Sequence, residues 1–286
     1  MDIEEEVSRA LDKLAASVQI TGPIRTDNHT NYIVRGLSDS PEQTTNLCWC
    51  LLGFIGGIYE TDLSIDSAIG EGAKASDNLI KILEKRLRVN ETLTKRQKKL
   101  NRDPLLQELI SHVLVLIHQR QRIFAEWLGE IQSCRPPHLS ANVLGLDLIA
   151  IGAENSTPFP VIGEVKAYEA DPLEGFATAC GKFTQVRQGE YNYEIREAIK
   201  KSLDIHGQFT KEQLADNIWI EIGRFGALVG HDQECNLDAN ECCDKPEVSR
   251  QDRDRLFFIA SPYNSMRELF DALSDHLVVL AKRLGE

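Results

Sequence analysis

Residues 145–168, GLDLIAIGAENSTPFPVIGEVKAY, contain two apolar runs that are separated by a short polar stretch. The runs GLDLIAIG (145–152) and FPVIGEVKAY (159–168) are rich in aliphatic and β-branched side chains, which is typical of strands. The residues between them include Asn, Ser, Thr and Pro, which favour a turn. We therefore expect a β-hairpin here, and the rest of the fold is interpreted outward from it.

Three charged residues, Asp147, Glu164 and Lys166, interrupt these apolar runs. Side chains alternate between the two faces of a strand, so Glu164 and Lys166 project from the same face, and Asp147 lies close to both if the strands pair. Burying three charges is costly unless they pair or bind a ligand, and a divalent cation relieves the repulsion between two carboxylates. Hard oxygen ligands suit Mg²⁺ or Mn²⁺, and a lysine beside them orients a water and stabilises negative charge on a phosphate. These are the parts of a metal-dependent phosphodiester hydrolase.

A structural alternative also fits a Glu-x-Lys tripeptide. An edge strand with one polar face carries such a pair at its surface, where both charges are solvated and do no chemistry. The two alternatives differ in one geometric requirement. Catalysis requires Asp147, Glu164 and Lys166 to converge within reach of a metal ion.

This arrangement resembles the core of the PD-(D/E)xK nuclease superfamily, in which an acid on one strand is followed by (D/E)-x-K on the next. The resemblance implies an α/β fold with a restriction-endonuclease-like core, a mixed sheet flanked by helices in the order α-β-β-β-α-β. It implies that Asp147 and Glu164 bind Mg²⁺ or Mn²⁺ and that Lys166 assists the attacking water. The proline of the superfamily pattern is absent here. The nuclease domain is predicted over residues 104–286, after a helical and irregular N-terminal region at residues 1–103.

The Gly-Glu-x-Lys strand, the segment LEGFATACGKFTQV (173–186) and the C-terminal strand and helix are similar to the nuclease subunits (HamA) of the Hachiman anti-phage defence system. That narrower resemblance implies a DNA endonuclease that acts as the effector of a prokaryotic defence complex. It also implies a helicase partner (HamB-like) that holds the nuclease inactive until invading DNA is sensed.

Some members of the superfamily place an additional acid on the helix before the first strand. Glu126 and Glu130, in the segment FAEWLGEI (124–131), are the candidates for that position in this chain. Exposed glutamates on helices are common, so an ordinary surface role is the alternative for both.

Two groups of basic and polar residues are candidates for contacts with the DNA backbone. One group lies on the helix predicted after the hairpin, and the other lies in residues 92–102, which carry five basic residues and no acid. A solvated surface or linker is the alternative for both groups. The candidates are Lys182, Gln185 and Arg187 in the first group, and Lys95, Arg96, Lys98 and Lys99 in the second.

Hydrophobic spacing and turn residues predict the remaining elements. Asp103 and Pro104 are expected to begin a long helix that ends near Gln132. Residues 19–46 are expected to form loops with one short strand near Tyr32. The other expected elements are a helix at 2–18, a buried helix or strand at 47–58, helices at 76–89, 172–203 (broken near Gly189) and 211–217, a strand at 255–261 and a helix at 265–284.

Composition limits the class of protein. The chain has 286 residues and a formal net charge of −12, which argues against a surface that is basic throughout and coats nucleic acid or membrane. The longest apolar stretch, at 47–58, is shorter than the roughly 20 residues that span a bilayer, and no secretion signal is visible. Seven cysteines, an odd number at irregular spacing, favour free thiols in a cytoplasmic protein. No P-loop is present, so ATP-driven work requires another protein.

A second group of chemically active residues comprises His231, Cys235, Cys242 and Cys243, at the start of and within an acidic segment at 231–254. Their spacing lacks the paired C-x2-C units of structural zinc sites. We expect a flexible loop that carries thiols here rather than a zinc site.

The leading hypothesis from the sequence is therefore a Mg²⁺-dependent DNA endonuclease in a complex with a helicase. One alternative is a non-catalytic protein-interaction module, in which the hairpin is structural. Another is a stand-alone restriction-type endonuclease, which would cut DNA without a partner.

Overall fold

One mixed sheet organises the chain. A computed structural model describes residues 3–56, 59, 83, 93–138, 145–206, 216–235 and 255–283. Its strands are β1 (Gln19–Arg25), β2 (Thr30–Arg35), β3 (Glu130–Cys134), β4 (Leu148–Glu154), β5 (Thr157–Ala167), β6 (Arg224–Asp232) and β7 (Leu256–Tyr263). In the described residues these strands form a single seven-stranded sheet in the order β1-β2-β7-β6-β5-β4-β3.

Helices cover both faces of this sheet. They are α1 (Ile3–Ser17), α2 (Pro41–Ile55), α3 (Lys95–Gln97), α4 (Asp103–Gln121), α5 (Ala125–Leu128), α6 (Pro172–Arg187), α7 (Asn192–His206), α8 (Trp219–Ile222) and α9 (Met266–Arg283), with a π-helical turn at Lys98–Arg102. The protein is thus α/β, with a mixed sheet between helices, as the sequence predicts at that level.

The predicted hairpin is confirmed. Strands β4 and β5 pair antiparallel from Leu148 opposite Gly163 to Glu154 opposite Thr157. The two residues between the strands, Asn155 and Ser156, have φ angles of 50° and 65°. Two successive positive φ angles define the turn that matches the natural twist of a two-residue hairpin.

The chain order around the hairpin runs α4, α5, β3, β4, β5, α6, α7, α8 and β6 in the described residues. Strands β3, β4 and β5 are antiparallel neighbours, whereas β6 pairs parallel to β5 and β7 pairs parallel to β6. The break predicted near Gly189 is confirmed, because α6 ends at Arg187 and Gly189 has a φ of 90°. The strand and helix predicted at the C-terminus are confirmed as β7 and α9.

The helix expected to continue to Gln132 is wrong beyond Gln121. The chain leaves α4 at Arg122, which adopts a left-handed conformation with a φ of 54°, and enters β3 after the short α5. His118 stabilises this departure, since its Nδ1 accepts the Phe124 amide at 3.0 Å and its Nε2 lies 2.7 Å from the Gly129 carbonyl. Asp103 is not an N-cap either, because its φ and ψ of −65° and −42° are helical and α4 continues from the preceding π-turn.

The N-terminal region is less irregular than expected. The helix predicted at 2–18 is confirmed as α1, and residues 47–55 of the predicted apolar run belong to α2. Residues 19–46 hold two strands rather than one, and β2 pairs parallel to β7 while β1 lies at the exposed edge. The N-terminal region therefore contributes to the same sheet as the hairpin, and the predicted boundary at residue 103 falls at the start of α4.

Two apolar layers hold the helices to the sheet. On one face, α1, α2, α4 and α9 pack against alternate strand residues that include Val161 and Val165. On the other face, α6 and α7 pack against Ile162 and its neighbours. Glu164 and Lys166 alternate with Val165, so they share the face of Ile162 and point towards the α6 and α7 side.

Some predicted elements cannot be compared with the structure. The helix at 76–89, apart from the buried Leu83, and most of the helix at 211–217 lie outside the described residues, as do residues 236–254 of the acidic segment. In the part of the chain that is described, no helix combines the length and the apolarity needed to cross a lipid bilayer.

Candidate active site at the open end of the hairpin

The hairpin opens at the end opposite its turn. There the carboxylate of Asp147 accepts a hydrogen bond that a carbonyl of the neighbouring strand would otherwise accept. Pairing between β4 and β5 stops at Leu148 and Gly163. The next amide along β5 that faces β4, that of Val165, donates to Oδ2 of Asp147 at 2.7 Å. A side-chain carboxylate therefore satisfies a buried backbone donor that the ladder has left without a carbonyl.

Glu164 and Lys166 lie on either side of that amide and contact each other. Nζ of Lys166 donates to Oε1 of Glu164 at 2.5 Å. Glu164 is only 5% exposed, and no described residue forms a hydrogen bond with its Oε2. The structure thus brings Asp147, Glu164 and Lys166 together, and these three residues are called the open-end cluster below.

Burial and charge both act on Glu164. Burial is the largest influence and raises the pKa of this carboxyl group, and the negative charge of Asp147 raises it further. Lys166 opposes both effects, and the resulting pKa is about 7. A carboxyl group with a pKa this far from its ordinary value, beside a second carboxylate, is characteristic of functional sites.

Lys182 on α6 extends the open-end cluster. Its Nζ lies 4.4 Å from the centre of the Tyr191 ring. Burial opposes the charged form of Lys182, but a hydrogen bond to Tyr191 and the negative charges of Glu164 and Asp147 together raise its pKa. Of the three predicted DNA contacts on α6, Lys182 is the one whose charge acts on the carboxylates.

The other predicted DNA contacts are distributed along the surface. On α6, Gln185 is half-buried, and the guanidinium of Arg187 lies 5.3 Å from the centre of the Phe225 ring near the start of β6. In the basic segment, Lys98 forms an ion pair with Asp271 of α9 at 2.7 Å, so it contributes to packing. The remaining three basic candidates, Lys95, Arg96 and Lys99, are exposed.

A carboxylate on α4 was not foreseen. Glu108 is buried, and one of its carboxylate oxygens lies within 4.8 Å of one carboxylate oxygen of Asp147 and of one ring nitrogen of His138. Burial raises the pKa of Glu108, His138 lowers it, and the negative charge of Asp147 raises it again. The sequence held a signal for this residue, because Glu108 and His112 lie three and seven positions after Leu105 and interrupt an apolar helical face.

Neither Glu126 nor Glu130 lies beside Asp147, which corrects the prediction of an additional acid. Glu126 forms an ion pair with Arg25 of β1 at 2.9 Å. Glu130 begins β3 opposite Ala153, which is five positions from Leu148, or about 17 Å along a strand rising about 3.4 Å per residue. The prediction failed because residues 122–134 form a turn, the short α5 and a strand instead of the end of one long helix.

A pair of opposite charges holds the residue that precedes Asp147. Arg135, directly after β3, donates to the carbonyl of Leu146 and to the carboxylate of Glu194 on α7. Oε1 of Glu194 in turn accepts the amide of Leu146 at 3.1 Å. Both backbone groups of Leu146 are therefore fixed by charged side chains. We call Arg135 and Glu194 the Leu146 clamp.

The donor set of the open end fits a hard divalent cation. Asp147 and Glu164 supply carboxylate oxygens, and the buried Oε2 of Glu164 has no described partner. An unpartnered charged oxygen at this depth is costly unless it is protonated or meets a cation. Mg²⁺ and Mn²⁺ prefer carboxylate ligands of this kind, so the residues present fit the predicted metal.

The second predicted group of reactive residues is only partly described. His231 belongs to β6, and its Nδ1 lies 2.8 Å from the carbonyl of Asp232. Cys235 donates to the Glu169 and Ala170 carbonyls through Sγ. Cys242 and Cys243 lie outside the described residues, so the expectation of a thiol-bearing loop stays a prediction.

Comparisons with known proteins add no family to this geometry. The chain matches no protein-family model, no curated protein and no solved structure.

Proposed function

We propose that this protein is a metal-dependent nuclease that hydrolyses DNA phosphodiester bonds at the open-end cluster. The observation that carries the proposal is the bond from the Val165 amide to Asp147. It holds one carboxylate against the strand that bears Glu164 and Lys166 on either side of that amide. The proximity of those three residues supports a catalytic hairpin over a structural one.

Each residue of the open-end cluster has a chemical role in this proposal. Asp147 and Glu164 would hold Mg²⁺ or Mn²⁺, which when bound supplies Lewis acidity and neutralises charge on the phosphate. Lys166 is held by Glu164 at 2.5 Å, so its ammonium group is oriented rather than free to rotate. From that position it can orient the attacking water and stabilise the negative charge that grows on the phosphate oxygens.

The order of elements supports the same proposal. A helix, three antiparallel strands, a helical segment and a strand parallel to the third occur in the order expected for a PD-(D/E)xK core. The two acids lie on the second and third of these strands or directly before them. We therefore propose that residues from 104 onward contain such a core.

The net charge of the chain supports the proposal that it acts with a partner protein that binds DNA. A net charge of −12 repels DNA, and a nuclease of this charge gains from delivery by another protein. Together with the resemblance to Hachiman nuclease subunits, this favours a helicase that binds DNA and restrains the nuclease until it is needed. The proposed biological role is anti-phage defence.

Plasmid cleavage tests the catalytic proposal. The wild type and Lys166→Ala are incubated with plasmid and Mg²⁺ or Mn²⁺, each alone and with the protein encoded beside it. Lys13→Ala is the matched control, because Lys13 is an exposed lysine on α1 that pairs with Glu42 of α2. We expect cleavage by the wild type and by Lys13→Ala, and loss of cleavage in Lys166→Ala.

The same experiment separates the alternatives. Cleavage only with the neighbouring protein supports the defence complex, and cleavage without it supports a stand-alone endonuclease. Equal cleavage by the wild type and Lys166→Ala would refute the catalytic assignment. No cleavage by any folded sample would favour the protein-interaction module.

A further inference from the structure

We propose that Glu108, His138 and Asp147 form a second divalent-cation position, adjacent to the one in the open-end cluster and sharing Asp147 with it. This inference rests on the proposed nuclease function and specifies how many cations the site takes and of which kind. It involves two residues, Glu108 and His138, that the hairpin motif does not include.

The three side chains are close enough to bind one ion. One ligand atom from each lies within 4.8 Å of the others. Atoms that share a metal ion at bond lengths of about 2.0–2.2 Å lie within about 4.4 Å of one another, so a small movement would complete the shell. The ligands come from α4, from the segment after β3 and from the residue before β4.

His138 is oriented by contacts with Glu108. Oε1 of Glu108 accepts the backbone amide of His138 at 2.6 Å and lies 3.2 Å from its Nδ1. A carboxylate that fixes an imidazole is a recurring feature of metal sites, because it determines which ring nitrogen is free for the ion. The same contacts explain how a residue outside any strand or helix is held beside Asp147.

Asp147 lies where the two positions meet. Its Oδ2 accepts the Val165 amide at 2.7 Å, which places the carboxylate at the open end of the β4–β5 hairpin, between α4 and β5. On one side are Glu108 and His138, and on the other is Glu164, whose side chain is 7% exposed and whose Oε2 meets no described hydrogen-bond partner. This buried oxygen without a described partner is an observation independent of the Glu108 group, and it points to a ligand at this end of the hairpin.

Charge repulsion gives the physical reason for two ions. The carboxylates of Glu108 and Glu164 both lie near Asp147, whose negative charge acts on each of them. Lys166 and Lys182 lie on the Glu164 side. A cation on the Glu108 side would neutralise the negative charge there, which these two lysines do not balance.

The ligand set also predicts which ion is preferred. An imidazole nitrogen is a softer ligand than a carboxylate oxygen and suits transition-metal ions better than Mg²⁺. We therefore expect the second position to prefer Mn²⁺ to Mg²⁺, whereas the position at Asp147 and Glu164 accepts both. The alternative is that Glu108 only tethers the chain at His138, which predicts no effect of either residue on metal binding.

Binding of Mn²⁺ to the metal-free full-length chain tests the proposal without any cleavage assay. Isothermal titration gives the stoichiometry, and the electron paramagnetic resonance spectrum distinguishes an isolated Mn²⁺ from two coupled ions. The wild type is compared with His138→Asn and Glu108→Gln. His276→Asn, at an exposed histidine on α9, is the matched control. Circular dichroism and thermal unfolding establish that each variant folds. If His138→Asn does not fold, Glu108→Gln alone tests the second position.

We expect two Mn²⁺ ions with a coupled spectrum in the wild type and His276→Asn, and one uncoupled ion in His138→Asn and Glu108→Gln. Excess Mg²⁺ should displace the ion at Asp147 and Glu164 and leave the other in place. Wild-type stoichiometry and an unchanged spectrum in both folded variants would overturn the second position. That result leaves the proposed function intact, because the nuclease assignment is tested separately, by plasmid cleavage in the wild type and Lys166→Ala.

Discussion

The two ends of the β4–β5 hairpin treat charged residues in opposite ways. At the turn end, Arg224 of β6 pairs with the exposed Glu154, and its guanidinium lies 3.7 Å from the centre of the Phe159 ring. At the open end, Glu164 is buried beside a second carboxylate, and one of its oxygens has no described partner. The turn end of the hairpin therefore carries a completed ion pair, whereas the open end carries a buried carboxylate with one oxygen that has no described partner.

This difference indicates that the open end is where the protein loses stability in order to keep a functional site. An ion pair with one exposed partner, such as that of Glu154 with Arg224, contributes little free energy but costs little. Buried carboxylates destabilise the fold unless a ligand compensates for them, and such groups are retained at functional sites. Substitutions at the open end should therefore reduce cleavage, whereas substitutions at the turn end should leave cleavage unchanged.

The largest expected effect is that of Glu164→Gln on cleavage. The amide keeps the shape of the side chain but removes the negative charge that would bind the metal and that pairs with Lys166. We expect cleavage to fall at least about 100-fold, in the range seen when one electrostatic group of an active site is removed. Thermal unfolding of the metal-free protein should be unchanged or shifted to higher temperature, because a buried charge is lost. Glu154→Gln, the matched change at the turn end, should cleave like the wild type, and an equal loss in both variants would contradict the comparison.

The Leu146 clamp should produce the next largest effect. Glu194→Gln weakens the bonds to Arg135 and to the Leu146 amide, so Asp147 loses its fixed position. Partners that orient a metal ligand typically contribute about 10–100-fold to affinity or activity, and we expect a loss of that size in Mn²⁺ affinity measured by titration. The control is Glu197→Gln on the same helix, an exposed residue paired with Lys200. Unchanged Mn²⁺ affinity in Glu194→Gln would show that the clamp only stabilises the fold.

The raised pKa of Glu164 predicts a smaller effect, which is a dependence of the free energy of unfolding on pH. Its pKa is about 7 in the folded protein, against an ordinary value of 4.5, so between these pH values the folded state binds more protons than the unfolded state. Raising the pH through this window should therefore lower the free energy of unfolding of the metal-free protein, and the decrease should level off above pH 7. Glu164→Gln should lack this component. Denaturant unfolding at several pH values measures the difference between the two proteins, and parallel curves would refute the assigned pKa shift.

The smallest effect is expected at the turn. Ser156 has a φ of 65°, a conformation that glycine adopts without strain, and Asn-Gly is the preferred pair for such a turn. Ser156→Gly should raise the free energy of unfolding by about 0.5 kcal/mol. Cleavage should not change, because the turn lies at the other end of the hairpin. A loss of cleavage in this variant would mean that the two ends are coupled.

The parts predicted from the sequence are those determined by local pattern. The hairpin, α1, α9 and the break at Gly189 follow from the spacing of apolar residues and from turn residues, which act over a few positions. Strand β1 was missed because it lies at the sheet edge with little burial, so it lacks the apolar alternation that marks a strand. Strand β3 was missed because the apolar residues of α5 continue the spacing of α4 past the turn at Arg122.

The parts of the site that were missed depend on contacts between distant positions. Asp147, Glu164 and Lys166 are found from a single hairpin, since strand geometry alone brings them together. Arg135 and Glu194 are 59 positions apart, and no local pattern pairs them. The location of Glu108 beside Asp147 depends on how α4 packs against the sheet, which the sequence does not specify.

The backbone amide of Val165 is a natural reporter of the state of this site. Most amides in a strand donate to a carbonyl, whose charge does not change, but this one donates to the carboxylate of Asp147. Its proton chemical shift should therefore move whenever that carboxylate is protonated, loses its position or shares its electrons with a cation. In a nitrogen-15-labelled sample, one backbone resonance would follow site occupancy during a titration, with no attached probe, substrate or cleavage event required.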